Sequence, residues 1–166
     1  ADFEKLVALE ELYLNKNKFL VFPRGIASGP SLKILSMNEN DIKYFPHEIG
    51  NALKLEKMYF NDNELGKDTD TPPFPASFSE LQNLKELHLD NNQITAIPEE
   101  IGGLIRLTHL YVNSNSLISI HEEIGKTALQ YLHANHNDLT SLPDQITNLI
   151  DLKELLFFKN KISYLP

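Results

Sequence analysis

The chain of 166 residues has no cysteine, no tryptophan and no asparagine followed two residues later by serine or threonine, although asparagine is abundant. Without cysteine there is neither a disulfide framework nor a thiolate metal site, and without the Asn-x-Ser/Thr acceptor there is no N-glycosylation, so a reducing, cytoplasmic setting is expected. Positive charge is short as well: Lys and Arg number 15 against 23 Asp and Glu, a formal net charge of −8. That balance gives no sequence-independent attraction for phosphates, which argues against a nucleic-acid partner and against an anionic membrane surface. Long apolar runs are missing too. Stretches such as Leu155 to Phe158 fall far short of the roughly 20 residues that cross a bilayer, and residues 1–30 hold no signal-peptide core. What remains, 42% hydrophobic and 23% charged residues, is a globular balance sufficient for one domain over residues 1–166.

Sliding the chain against itself exposes its organisation. Leu9, Leu32, Leu55, Leu84, Leu107, Leu129 and Leu152 each open the same phrase, L-x-x-[LM]-x-apolar-x-x-N-x-[LIF]-x-x-apolar, usually followed by proline. The successive spacings are 23, 23, 29, 23, 22 and 23 residues. One residue is missing between Ile124 and Leu129, and six extra residues lie between Leu65 and Phe74; both irregularities fall outside the phrase itself. An asparagine recurs in every copy, as Asn17, Asn40, Asn63, Asn92, Asn115, Asn137 and Asn160.

In Leu84-Lys-Glu-Leu87-His-Leu89 the apolar residues Leu87 and Leu89 alternate with polar ones, the period of two that marks a short strand with one buried face. Stacked copies pair these strands in parallel, and the returning part of each copy supplies the opposite wall of the core, so a curved solenoid is predicted. The asparagine falls where the chain leaves the strand, and its amide can donate to and accept from backbone groups that the turn leaves unpaired. The column is therefore read as a structural ladder along the edge of the core. Returning segments begin with Pro23, Pro46, Pro75, Pro98, Pro143 and Pro166, several with acids just after, which predicts short helices or 3-10 turns. Ile49, Phe78, Ile101, Ile124 and Ile146 then point inward. Gly25 and Gly29 predict an irregular first returning segment. His121, in place of the fifth proline, is read as a surface residue.

These phrases resemble the leucine-rich repeats over Phe3 to Pro166. The period near 23 and endings such as Ile97-Pro98-Glu99-Glu100-Ile101-Gly102-Gly103-Leu104 are most similar to the intracellular "Ras-group" class. The resemblance implies an α/β fold: a right-handed solenoid with a parallel concave β-sheet and short helices, 3-10 turns or loops on the convex side. It also implies a protein partner, with a small GTPase, a phosphatase or another signalling protein as examples. Both ends lack a recognisable cap, so the chain reads as the middle of a longer array, and a monomer or a part of a longer chain is expected.

Strand residues between the buried apolars face the concave side, where side chains are free to suit a partner. The position between the two strand apolars runs Tyr13, Ser36, Tyr59, His88, Tyr111, His133 and Leu156, and the position two residues earlier adds Ile34, Lys57, His109 and Tyr131. Exposed aromatic residues carry much of the energy at protein interfaces. The candidate partner-binding set is therefore Tyr13, Tyr59, His88, Asp90, His109, Tyr111, Tyr131 and His133. Tyr and His also suit exposed strands through β propensity and cross-strand stacking, a competing explanation of the same stripe.

A second column, Asn15, Asn38, Asn61, Asp90, Asn113, Asn135 and then Phe158, follows the strands. Its amides can bind a partner or cap strand ends. Phe158 breaks the rule, and with Leu156 and Phe157 it needs either a covering repeat or a binding role. The acidic, proline-rich insertion at residues 66–73 is expected to bulge from the returning side, as a partner-binding loop or as a tolerated extension.

Six histidines raise the question of a metal. His88 and His133 lie two repeats apart, roughly 10 Å between backbones, and no HExxH or paired-carboxylate spacing accompanies them. No metal, cofactor or catalytic residue is assigned: the chain also lacks a phosphate-binding glycine loop, a G-x-S-x-G elbow and a cysteine nucleophile. The expected function is a protein-interaction module. The alternatives are a sensor or targeting segment of a larger signalling enzyme and a surface or secreted adhesion repeat.

Overall fold

A computed structural model describes residues 3–68 and 70–166. Seven three-residue strands form one parallel sheet: β1 (Glu11–Tyr13), β2 (Ile34–Ser36), β3 (Lys57–Tyr59), β4 (Glu86–His88), β6 (His109–Tyr111), β8 (Tyr131–His133) and β9 (Glu154–Leu156), paired in chain order. The central residues stay in register, Leu12 to Leu35 to Met58 to Leu87 to Leu110 to Leu132 to Leu155. From β3 to β8 that residue is buried and its two neighbours half-buried, as one-sided alternation requires. Two short strands that the repeat phrase does not announce, β5 (Ala96–Ile97) and β7 (Ser119–Ile120), pair in parallel within the returning segments.

The returning segments carry five-residue 3-10 helices at Arg24–Ser28, His47–Asn51, Ala76–Glu80, Glu99–Gly103, Glu122–Lys126 and Asp144–Asn148. Each is entered through the proline or, in the fifth coil, His121, and buries its third residue: Ile26, Ile49, Phe78, Ile101, Ile124 or Ile146. The irregular course expected for the first segment is corrected here. Arg24–Ser28 is helical because one 3-10 turn needs few bonds, Ile26 N to Pro23 O at 2.9 Å and Gly29 N to Ile26 O at 3.1 Å. Burial of Ile26 then outweighs the entropy that Gly25 loses. Successive convex turns lie so close that a Cβ on Gly50 would stand 2.7 Å from the Ser77 carbonyl oxygen.

Between sheet and helices the core is continuous. Leu35, Met58, Leu87, Leu110 and Leu132 form one pillar, and Met37, Phe60, Leu89, Val112 and Ala134 a second. Toward the first coils phenylalanines dominate: Phe45 meets Phe60 at 4.9 Å and Phe78 at 5.3 Å between ring centroids, and Phe74 meets Phe78 at 5.1 Å. Phe74 lies directly after the insertion, which leaves the β3–β4 pairing intact. Thr69 lies outside the described residues; the rest of the insertion starts at Gly66, whose φ of 86° and close approach to Gln93 O favour glycine.

The asparagine column is a ladder with a fixed direction. Asn63 Oδ1 accepts from Ile42 N (3.1 Å) of the preceding coil, and its Nδ2 donates to Met37 O (2.9 Å) of that coil and Phe60 O (3.2 Å) of its own. Asn40, Asn92, Asn115, Asn137 and Asn160 repeat the arrangement, whereas Asn17 donates only within its own coil. Just before each ladder asparagine lies a residue with φ of 53–58°: Lys16, Glu39, Asp62, Asn91, Ser114, His136 and Lys159. Side chains other than glycine resist this left-handed conformation, and Lys and Glu are not among its usual occupants. From Lys16 to His136, the N–H of each donates to the neighbouring coil, as from Glu39 N to Asn61 O at 2.9 Å, which secures the turn.

Removing a ladder rung should therefore cost more in the middle than at the end. Asn92→Ala strands the buried Leu65 N and takes one of two donors from each of the carbonyls of Phe60 and Leu89, and is expected to destabilise by about 2 kcal/mol, against less than about 1 kcal/mol for Asn17→Ala. Denaturant midpoints of the two variants check the difference.

Candidate protein-binding surface

The predicted aromatic stripe exists as one continuous stack. Ring centroids run Tyr59 to His88 at 4.6 Å, His88 to Tyr111 at 4.5 Å and Tyr111 to His133 at 4.7 Å. Two residues earlier on the strands, His109 stacks on Tyr131 at 4.5 Å and lies 6.1 Å from Tyr111 between ring centroids. The parallel register generates this directly, because β3, β4, β6 and β8 align Tyr59, His88, Tyr111 and His133. Cross-strand stacking is thus realised, among half-buried side chains that share one face of the sheet. Tyr13 occupies the same column but is separated from Tyr59 by Ser36; it is 57% exposed and donates to Glu11 Oε2 at 3.0 Å.

Glu86 organises one end of the stack and was missed by sequence reasoning. Its Oε1 binds Lys57 Nζ at 2.8 Å, its Oε2 accepts from the Tyr59 hydroxyl at 3.0 Å, and the same oxygen stands 3.7 Å from His88 Nε2. Burial would raise this carboxyl, but the bonds from Lys57 and Tyr59 outweigh it and hold Glu86 below the usual range. Burial, with the bond to Glu86, raises the Tyr59 hydroxyl. At the other end His133 Nε2 meets Glu154 Oε2 at 3.0 Å. Glu86 and Glu154 share the register of Lys57, His109 and Tyr131, and that shared register was the signal available in the sequence.

The second column has a structural task throughout. Asn15, Asn38, Asn61, Asp90, Asn113 and Asn135 each accept, through Oδ1, the backbone N–H of the equivalent residue in the next coil, at 2.7–3.0 Å. It is a second ladder, pointing opposite to the first. Asp90, counted among the candidate partner contacts, thus has Oδ1 committed to Asn113, and Phe158 stands where the ladder finds no further acceptor. Phe158 is 57% exposed, with its ring against His136 at 5.3 Å.

No group of His, Asp and Glu side chains among the described residues is arranged to hold a metal ion, and no described helix is long and apolar enough to cross a membrane. An open cavity of about 320 Å³ lies between the insertion and Thr95, Ala96 and Pro98, on the returning side and apart from the aromatic stack.

His88 gives the face a pH signature. Its Nε2 is buried without a hydrogen-bond partner among the described residues, since 3.7 Å to Glu86 is too long. Burial lowers its pKa from the ordinary 6.5, against the pull of Glu86. The unfolded chain then takes up this proton at a higher pH than the folded one, so stability present above about pH 6.5 is lost as pH falls through the folded value. Thermal melts of wild type and His88→Phe between neutral and mildly acidic pH should show a smaller decline in the variant.

Leucine-rich-repeat family models match residues 74–117 and 128–149. Among solved structures, a leucine-rich-repeat protein of Leptospira interrogans is 31% identical, with a TM-score of 0.68, covering 96% of this chain and 45% of that one. The plant peptide hormone receptor RGFR1, in complex with RGF2, is 28% identical with a TM-score of 0.80, covering 95% of this chain and 26% of the receptor. A Listeria monocytogenes internalin, 20% identical with a TM-score of 0.64, covers 95% of this chain and 50% of its own length and speaks to the fold alone. The chain thus spans half or less of each of these proteins. No curated protein sequence matches it significantly. With the repeat phrase, the parallel sheet and the asparagine ladder, these likenesses show that the chain carries leucine-rich repeats and folds as a leucine-rich-repeat solenoid.

Proposed function

We propose that the chain is a protein-interaction module that takes a protein partner across its concave strands, with no catalytic role of its own. The observation that carries this reading is the stack from Tyr59 to His133, continued sideways by His109 and Tyr131: aromatic rings held in fixed positions on an open sheet. Rings already fixed by their neighbours lose little conformational freedom on binding and present a large contact area, which favours affinity. Tyr59, His88, His109, Tyr111, Tyr131 and His133 form its centre, Asp90 and Glu86 flank it, and Tyr13 is an outlying contact.

The finer reading is a cytoplasmic Ras-group repeat whose folded partner is a small GTPase, a phosphatase or another signalling protein. It is supported by the 23-residue spacing, by the ending from Ile97 to Leu104 and by the lack of cysteine and Asn-x-Ser/Thr. A second reading, a surface or secreted recognition repeat, is favoured by the likeness to RGFR1, a peptide hormone receptor.

The test is an affinity capture from the source organism's lysate, comparing wild type with the Tyr59→Ala, Tyr111→Ala double variant. Both side chains lie on the open face, so the variant should fold, as circular dichroism can check. Proteins retained by wild type should be lost or reduced at least about tenfold by the variant, the effect of losing roughly 1.4 kcal/mol or more at an aromatic hot spot. Equal recovery by a folded variant would move the binding site away from the stack.

A further inference from the structure

We propose, resting on the concave-face reading, that the partner segment seated there is cationic, and that Asp90 is the carboxylate on which one of its arginine or lysine side chains closes. The second ladder shows why Asp90 stands out. Each rung needs one acceptor oxygen, and Asn15, Asn38, Asn61, Asn113 and Asn135 supply it from an uncharged amide. Asp90 supplies the same oxygen, taken by Asn113 N at 2.7 Å and Asn113 Nδ2 at 3.0 Å. It also brings a negative charge, which the two bonds from Asn113 stabilise in part, and its Oδ2 has no hydrogen-bond partner among the described residues.

That charge sits at a disadvantage in the free protein. Burial pushes the Asp90 carboxyl above its ordinary value, although the bonds from Asn113 oppose the shift. A neutral amide at this position would perform the structural task without that penalty, whereas the carboxylate keeps a second oxygen, Oδ2, to offer an incoming donor.

The surroundings specify the sign and shape of the occupant. Along the strands and the column after them, the carboxylates Glu11, Glu86, Asp90 and Glu154 outnumber the ammonium of Lys57, which is closed on Glu86 at 2.8 Å; a second ammonium, Lys153, stands beside them, 5.8 Å from the Tyr131 ring centroid and bonded to Gln130 at 2.9 Å. The histidine in the centre of the stack, His88, has its pKa lowered by burial, which disfavours its charged form. The net charge of −8 steers a cation toward the molecule at long range. An acidic or apolar segment docked over Asp90 would bury its charge uncompensated, whereas an ammonium or guanidinium offsets it. Tyr111 and His133, half-buried in the same stack, are the rings against which the aliphatic stem of such a side chain would pack.

The experiment titrates the 166-residue chain with two labelled synthetic peptides, one alternating arginine and serine, the other glutamate and serine, at low and at physiological salt. The arginine peptide is expected to bind, more weakly as salt rises, and Asp90→Asn to weaken it about tenfold, the loss of one charge-assisted hydrogen bond. Asn occupies the equivalent place in five other coils, so Asp90→Asn keeps the ladder, and its thermal midpoint at neutral pH should match or exceed that of wild type. Equal affinity for the variant, or tighter binding of the glutamate peptide, overturns the proposal. If neither peptide binds while Tyr59→Ala, Tyr111→Ala still abolishes partner capture, the cationic assignment falls and the concave-face reading stands. If capture is also unchanged, both fall.

Discussion

The carboxamide of Asn63 accepts from Ile42 N and donates to the carbonyls of Met37 and Phe60, so one side chain ties two coils together where the backbone leaves the sheet. A chain that turns every few residues strands backbone groups away from both water and regular ladders, and unpaired groups there are costly. The asparagine is short enough to stay inside the turn and has both a donor and an acceptor to give. Strand register, coil spacing and the alignment of the concave face all follow from its periodic placement.

The second ladder tightens this arrangement from the other side. The first set of amides reaches back to the preceding coil, while Asn15, Asn38, Asn61, Asp90, Asn113 and Asn135 receive a backbone N–H from the following one. Each interior coil is therefore held in both directions, and stability becomes a sum of neighbour contacts rather than a property of any coil alone. Because the ties sit at the sheet edge, the insertion after Leu65 lengthens only the returning side and leaves the β3–β4 register undisturbed. The buried phenylalanines beside it, Phe45, Phe60, Phe74 and Phe78, fill the wall of the core there.

The same register that makes the core continuous makes the outer face continuous. Parallel strands in step place Tyr59, His88, Tyr111 and His133 over one another, and their rings then settle 4.5–4.7 Å apart. Glu86 joins strand to strand through Lys57 and Tyr59, so polar contacts as well as ring contacts fix the surface before any partner arrives. The ion pairs along the rim, Glu10 with Lys33 and Glu56 with Lys85, are exposed and add little to stability.

Periodicity carries information only about what repeats, and that marks the division between sequence and structure in this protein. The spacing of Leu9, Leu32 and their successors, with the unbroken asparagine column, was enough to determine the solenoid, the parallel sheet, the inward isoleucines and the common face of the tyrosines and histidines. Which polar groups bind which depends on distances between coils that no spacing encodes. Only the tertiary structure turned the Asn15 column into a second ladder, gave Glu86 its place at the end of the ring stack and put Lys16, Glu39 and Ser114 in left-handed turns that their side chains do not advertise. It also made Arg24–Ser28 helical where Gly25 had argued otherwise, because the burial of Ile26 is a property of the packed coil and not of the segment.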